Sequence, residues 1–112
     1  MEYPVTRQHN SLIISPAGRL DFDASPEFQT QAQAAIDQAQ SMGLGLIIDC
    51  AQLSYISSAG LRAFLVAARS AKTRQVRLMA CGLTPPVQEV FDLSGFSQLI
   101  PLCADLNQAL SR

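Results

Sequence analysis

The stretch Leu46-Ile47-Ile48-Asp49-Cys50-Ala51-Gln52-Leu53-Ser54-Tyr55-Ile56-Ser57-Ser58-Ala59-Gly60-Leu61-Arg62 decides how the rest of the chain is arranged. An apolar run of strand length ends at Asp49, a short polar connection follows, and two serines then stand just ahead of a segment with helical periodicity. A serine in that place has two uses. Its hydroxyl can cap the free N–H groups of the helix start, or those N–H groups and the positive end of the helix dipole can hold an anion, including a phosphate attached to the serine itself.

Working outward, residues 44–50 form a near-continuous apolar strand of the kind buried on both faces, and therefore central, in an α/β sheet. Upstream, Ser25-Pro26-Glu27 reads as a helix start, with serine as cap, proline at the first helical position and an acid in the first turn. That helix runs to about Ser41 with Phe28, Ala32, Ala35, Ile36 and Ala39 on one face, and Gly43 and Gly45 end it. Before it, Tyr3 and Val5, a turn at His9-Asn10 and the run Leu12-Ile13-Ile14 predict an opening hairpin. At Pro16 its second strand should finish, bulge or lie at an edge, and Gly18 marks the exit.

Downstream, Leu61, Phe64, Leu65 and Ala68 are the expected core stripe of a helix ending near Lys72, with Arg62, Val66 and Arg69 facing outward. Val76, Leu78 and Ala80 then predict a strand before Cys81-Gly82. Thr84-Pro85-Pro86 starts a third helix anchored by Val87, Val90 and Phe91; Gly95 stops it and Phe96 folds back over its last turn. Residues 99–103 form a short strand whose Pro101 points to a sheet edge, and Asp105 caps a last helix with Leu106, Ala109 and Leu110 inward. The expected order is ββαβαβαβα: one α/β domain over residues 1–112, with a mixed, mostly parallel sheet of about five strands and helices packed on it.

Composition sets outer limits. A chain of 112 residues, 48% hydrophobic and 15% charged, can bury its own core. Eight Lys and Arg against nine Asp and Glu, with no basic run, give no electrostatic reason to expect nucleic acid or an anionic membrane as the main partner. Met1-Glu2-Tyr3-Pro4 lacks the pattern of a signal peptide and no apolar run is long enough for direct membrane insertion, so a cytoplasmic location is expected. Cys50, Cys81 and Cys103 are odd in number, far apart and set in apolar runs, which reads as buried thiols in a reducing compartment.

Groups that could carry catalysis do not converge. The sole imidazole, His9, lies in a turn, no cysteines have metal spacing, and there is no Gly-rich phosphate loop. Neither a catalytic residue nor a cofactor or metal is expected, although a hydrolase using Ser57 or Ser58 with His9 as base is a third possibility. Asp21 and Asp23, two residues apart, suit a solvated loop leading into a helix better than a metal site. Arg62 and Arg69 suit a solvated helix face better than a partner contact.

Between Asp49 and Leu65 the sequence resembles the anti-sigma factor antagonists, the bacterial members of the STAS domain family. Ile47-Ile48-Asp49 and Ser58-Ala59-Gly60-Leu61 match the family's strand, connection and serine-led helix. Gly18-x-Leu20-Asp21 is similar to its loop before the first helix, and residues 85–95 to its Pro-x-Val-x-x-x-Phe-x-x-x-Gly segment. The resemblance implies that Ser58 is phosphorylated by a partner that is both a serine kinase and an anti-sigma factor. The unmodified form binds that partner, the phosphorylated form lets go, and a serine phosphatase resets the cycle. ATP then belongs to the kinase, and the free chain is expected to be a monomer. Partner binding is expected from Asp21, Asp23, Ser57, Ser58, Ala59, Gly60, Leu61 and Arg62, with Asp21 in contact range of Ser58. Many relatives have Asp directly before the modified serine, whereas this chain has Ser57, and the following hydroxyl residue is replaced by Ala59. Ser57 is therefore the alternative acceptor and also a candidate cap. The alternative function is a STAS subunit of a membrane transport complex, such as the partner of a lipid-transport ATPase, docking through the same surface without phosphorylation.

Overall fold

The computed structural model describes residues 2–112; Met1, the first residue of the stretch read for a targeting signal, lies outside them. Two strands, β1 (Val5–Gln8) and β2 (Ser11–Ile14), form the opening antiparallel hairpin. Then come β3 (Gly18–Leu20), α1 (Ser25–Met42), β4 (Gly45–Asp49), β5 (Leu53–Ile56), α2 (Ser58–Thr73), β6 (Leu78–Cys81), α3 (Pro85–Ser94), a 3₁₀ turn at Phe96–Gln98, β7 (Leu102–Cys103) and α4 (Leu106–Leu110). The main sheet has the order β1-β2-β4-β6-β7, parallel except for the hairpin pair. This is the expected mixed, mostly parallel sheet, and the apolar strand β4 lies at its centre. No helix among the described residues is long and apolar enough to cross a membrane.

Four expectations need correction. Gly18–Leu20 and Leu53–Ile56 are not loop and polar connection but strands, β3 and β5, which pair in parallel as a separate two-stranded sheet with a register shift between Gly18 and Arg19. Neither is longer than four residues, and each finds its hydrogen bonds far away in sequence, so no local pattern announces them. At the start of α1, Ser25 is not the cap. Asp21 does that work: its Oδ1 accepts from the Ala24 N–H at 3.0 Å, while its carbonyl accepts from the Ser25 N–H at 3.0 Å and from Ser25 Oγ at 2.5 Å. Ser25 is thereby free to be buried. In α2 the buried ridge is Gly60, Ala63, Phe64, Ala67 and Ala71; Leu61, Leu65 and Ala68 flank it, partly buried. Small residues occupy the ridge because α1 packs directly across it, so the centre of the core face falls one position from the larger side chains. Finally, the strand at 99–103 is reduced to Leu102–Cys103 after Pro101, at the sheet edge where a missing N–H is tolerated.

The sheet separates two apolar clusters. On one side Leu12, Ile14, Leu46 and Ile48 meet α1 and α2; on the other Ile13, Ile47, Met79, Cys81 and Cys103 are covered by Ala109, Leu106 and Leu110 of α4. Through the larger cluster runs a chain of rings, Tyr3 to Phe28, Phe64, Phe91 and Phe96, with successive centroids 6.1, 5.2, 5.4 and 5.9 Å apart. These spacings suit edge-on and offset ring contacts. The ring chain ties the segment before the hairpin to α1, α2, α3 and the 3₁₀ turn.

Candidate functional site

The two serines have different places. Ser57 is the N-cap of α2: its Oγ accepts from the Gly60 N–H at 3.2 Å and donates to the Leu20 carbonyl at 3.2 Å, and its own N–H reaches the same carbonyl at 3.0 Å. Its hydroxyl is used as both donor and acceptor. Ser58, the first residue of α2, is exposed and makes no side-chain hydrogen bond to any described residue. It stands at the positive end of a 16-residue helix whose first amides lack intrahelical acceptors. The site thus offers a free hydroxyl where a dianion is electrostatically welcome.

Gly60 explains why this helix start can lie so close to β3. A Cβ built there would fall 2.7 Å from the Leu20 carbonyl oxygen and 2.7 Å from Ile56 Cγ1, inside any tolerable contact. Glycine therefore lets α2 begin directly over the β3–β5 pair, with Leu20 as the shared anchor.

The remaining expected residues divide between two depressions and the core. Asp21 follows Leu20, and its carboxylate is committed to the start of α1 through the Ala24 N–H. Asp23 is exposed and, with Asp21, Glu27, Arg19 and Tyr3, borders one shallow depression. Ala59 and Arg62 border a second, with Phe22, Ser25, Pro26, Gln29 and Thr30. Leu61 turns partly into the core instead. Phe22 between Asp21 and Asp23 is 77% exposed, which no periodicity in the sequence signals. Nor does the sequence signal the pairing of Arg19 with Tyr55, the guanidinium carbon 4.1 Å from the ring centroid, because that contact exists only once β3 pairs with β5.

Other candidates for chemistry lie elsewhere. His9 borders a cavity with Arg74, Gln75 and Val76 beyond the far end of α2, a helix of 16 residues and so ~24 Å long. It cannot serve Ser57 or Ser58 as a base. Cys50, Cys81 and Cys103 are free and buried. Burial pushes the Cys50 thiol far up, with Cys81 and Asp49 adding to it; burial and then Asp49 push Cys81 up to about 12. The Cys50 and Cys81 thiols therefore stay protonated and unreactive near neutrality. Burial, and then Glu27 and Asp21, raise the Tyr3 phenol.

The sequence model of the STAS domain family matches residues 2–109. The Bordetella bronchiseptica protein BtrV, a candidate anti-sigma factor antagonist, is 30% identical over 102 residues, covering 91% of this chain and 85% of that one. The anti-sigma-B factor antagonist of Listeria monocytogenes is 29% identical over 96 residues, covering 86% and 82%. Among solved structures, the anti-sigma factor antagonist SpoIIAA superposes in its unphosphorylated form with a TM-score of 0.78, at 22% identity over 98% of this chain and 94% of that one. The Bacillus SpoIIAA structure in the phosphorylated form superposes at 0.70, with 21% identity over 98% and 97%.

Proposed function

The chain belongs to the STAS domain family, and we propose that, as one STAS domain over residues 1–112, it acts as an anti-sigma factor antagonist switched by phosphorylation of Ser58. Unmodified, it binds a serine kinase that is also an anti-sigma factor and so frees the sigma factor. The kinase transfers the γ-phosphoryl group of ATP to Ser58 Oγ: the new P–O bond replaces the bond to ADP, and the hydroxyl proton leaves to a base on the kinase or to water. The modified chain dissociates, and a serine phosphatase hydrolyses the ester to restore it. Asp21, Asp23, Ser57, Ala59, Gly60, Leu61 and Arg62 form the docking rim around Ser58.

The observation that carries this reading is the division of labour between the serines. Ser57 Oγ is occupied in the cap, while Ser58 Oγ is exposed at the helix tip. The existence of a phosphorylated structure for a protein of the same fold supports it. The energetics suit release without unfolding. A phosphate adds about 1.5 to 2 negative charges. Repulsion of one partner carboxylate ~6 Å away amounts to about 1 to 5 kcal/mol as the effective dielectric falls from about 80 to about 20. That range is about one to four decades in affinity.

The test is mass-spectrometric mapping after incubation with the cognate kinase and ATP. Phosphate is expected on Ser58, retained in Ser57→Ala and lost in Ser58→Ala. Undiminished labelling of Ser58→Ala contradicts the assignment. Stable docking of an unmodified chain to a transport ATPase, indifferent to Ser58→Glu, would point instead to the transport-subunit function.

A further inference from the structure

Arg62 follows Ser58 by four residues within α2, which places the two side chains on one face with Cβ atoms ~5–6 Å apart. Both residues are exposed, and Arg62 has no ion-pair or hydrogen-bond partner among the described residues. The depression it borders is walled by Phe22, Ser25, Pro26, Gln29, Thr30 and Ala59 and contributes no carboxylate. An unpaired guanidinium therefore stands beside a surface that offers it no acidic partner, one turn from the hydroxyl read as the phosphorylation site.

We propose that Arg62 is the internal counter-ion of phosphorylated Ser58; the proposal rests on the Ser58 reading above and extends it to how the modified state is held. A guanidinium presents a planar fork of donors that matches phosphate oxygens, and an anion N-terminal to a cation at this spacing is the favourable order with respect to the helix dipole. In the unmodified chain Arg62 is available to an acidic group of the partner seated against Phe22 and Pro26. Once Ser58 carries the dianion, Arg62 swings to it. The partner then meets a new negative charge and loses the cation it had used.

The pair can be tested without any kinase by incorporating phosphoserine at position 58 through amber-codon suppression. The second ionisation of the phosphate is then followed by ³¹P NMR in the wild type, Arg62→Gln and Arg62→Lys. Arg62 is exposed, so the variants should fold, and a ¹H–¹⁵N spectrum verifies this. The wild-type phosphate is expected to ionise about 0.3 pH unit lower than in Arg62→Gln, in line with helix ion-pair strengths. Arg62→Lys should fall between them, and the Arg62 Nε–H resonance should shift on phosphate ionisation. Asp21, Asp23 and Arg19 are unchanged across the series, so the difference isolates Arg62. Equal ionisation in wild type and Arg62→Gln, with no Arg62 resonance shift, overturns the pairing. Because no kinase takes part, that result leaves Ser58 as an acceptor untouched, and failure of the kinase to modify Ser58 leaves the pairing to be judged by this titration.

Discussion

Ser57 and Ser58 are chemically identical, and one backbone step separates their roles. The extended residue at the end of β5 turns its hydroxyl back over the helix start, and the next residue, already helical, points its hydroxyl to solvent. Ser57→Ala should therefore cost about 1 kcal/mol of stability, the usual worth of a cap. Ser58→Ala should stay within about 0.5 kcal/mol, as for surface changes away from special features. Urea denaturation of the two variants checks this, and equal losses would contradict the division. Gly60→Ala is expected to be worse than either, about 1 to 3 kcal/mol, because its Cβ has nowhere to go between Leu20 and Ile56. Which serine caps could not be read from the residues: either can stand at a helix start, and only the Leu20 carbonyl arriving from β3 chooses Ser57.

At the level of elements, the long periodic segments were legible and the short ones were not. The faces of α1 and α3, the glycine stop at Gly95, the Asp105 cap of α4 and the buried run of β4 each follow from a pattern contained in one stretch of chain. β3 and β5 follow from no such pattern, since Leu53-Ser54-Tyr55-Ile56 is half exposed and is held by a strand more than 30 residues away. The start of α1 misled for a related reason. Ser-Pro-Glu is a good capping sequence, yet Asp21 reaches the amides first from the end of β3 and Ser25 is drawn inside. Asp21→Ala should accordingly lower stability by about 1 kcal/mol, whereas Asp21→Asn, which keeps a capping oxygen, should lose only a few tenths. Thermal unfolding of the pair separates the cap from any role of the charge in partner binding.

At the scale of the molecule, the sheet divides the apolar interior, with the Cys50 thiol in the cluster under α1 and α2 and the Cys81 and Cys103 thiols in the cluster under α4. The sequence was enough to expect those thiols inside, because each ends or adjoins an apolar run. Their burial has a pH consequence. The folded state holds Cys50 and Cys81 protonated well above the ordinary thiol value of 9.0, while the unfolded chain ionises there. Stability is thus complete below pH 9 and falls as pH rises from 9 toward 12, by about 1 kcal/mol per thiol at pH 10. The raised Tyr3 phenol adds a loss of the same sign at the upper end. Urea midpoints at pH 7 and pH 10 should differ in the wild type and draw together in Cys50→Ala/Cys81→Ala.

In the proposed switch, an exposed hydroxyl at the tip of α2 decides whether a partner stays bound, while the fold beneath it is unchanged. Calorimetric titration of the cognate kinase with unmodified chain, Ser58→Ala and chain carrying phosphoserine at 58 tests this most directly. Tight binding of the first two, and binding of the third weaker by about one to four decades, is the predicted result. Equal affinity for all three would contradict it.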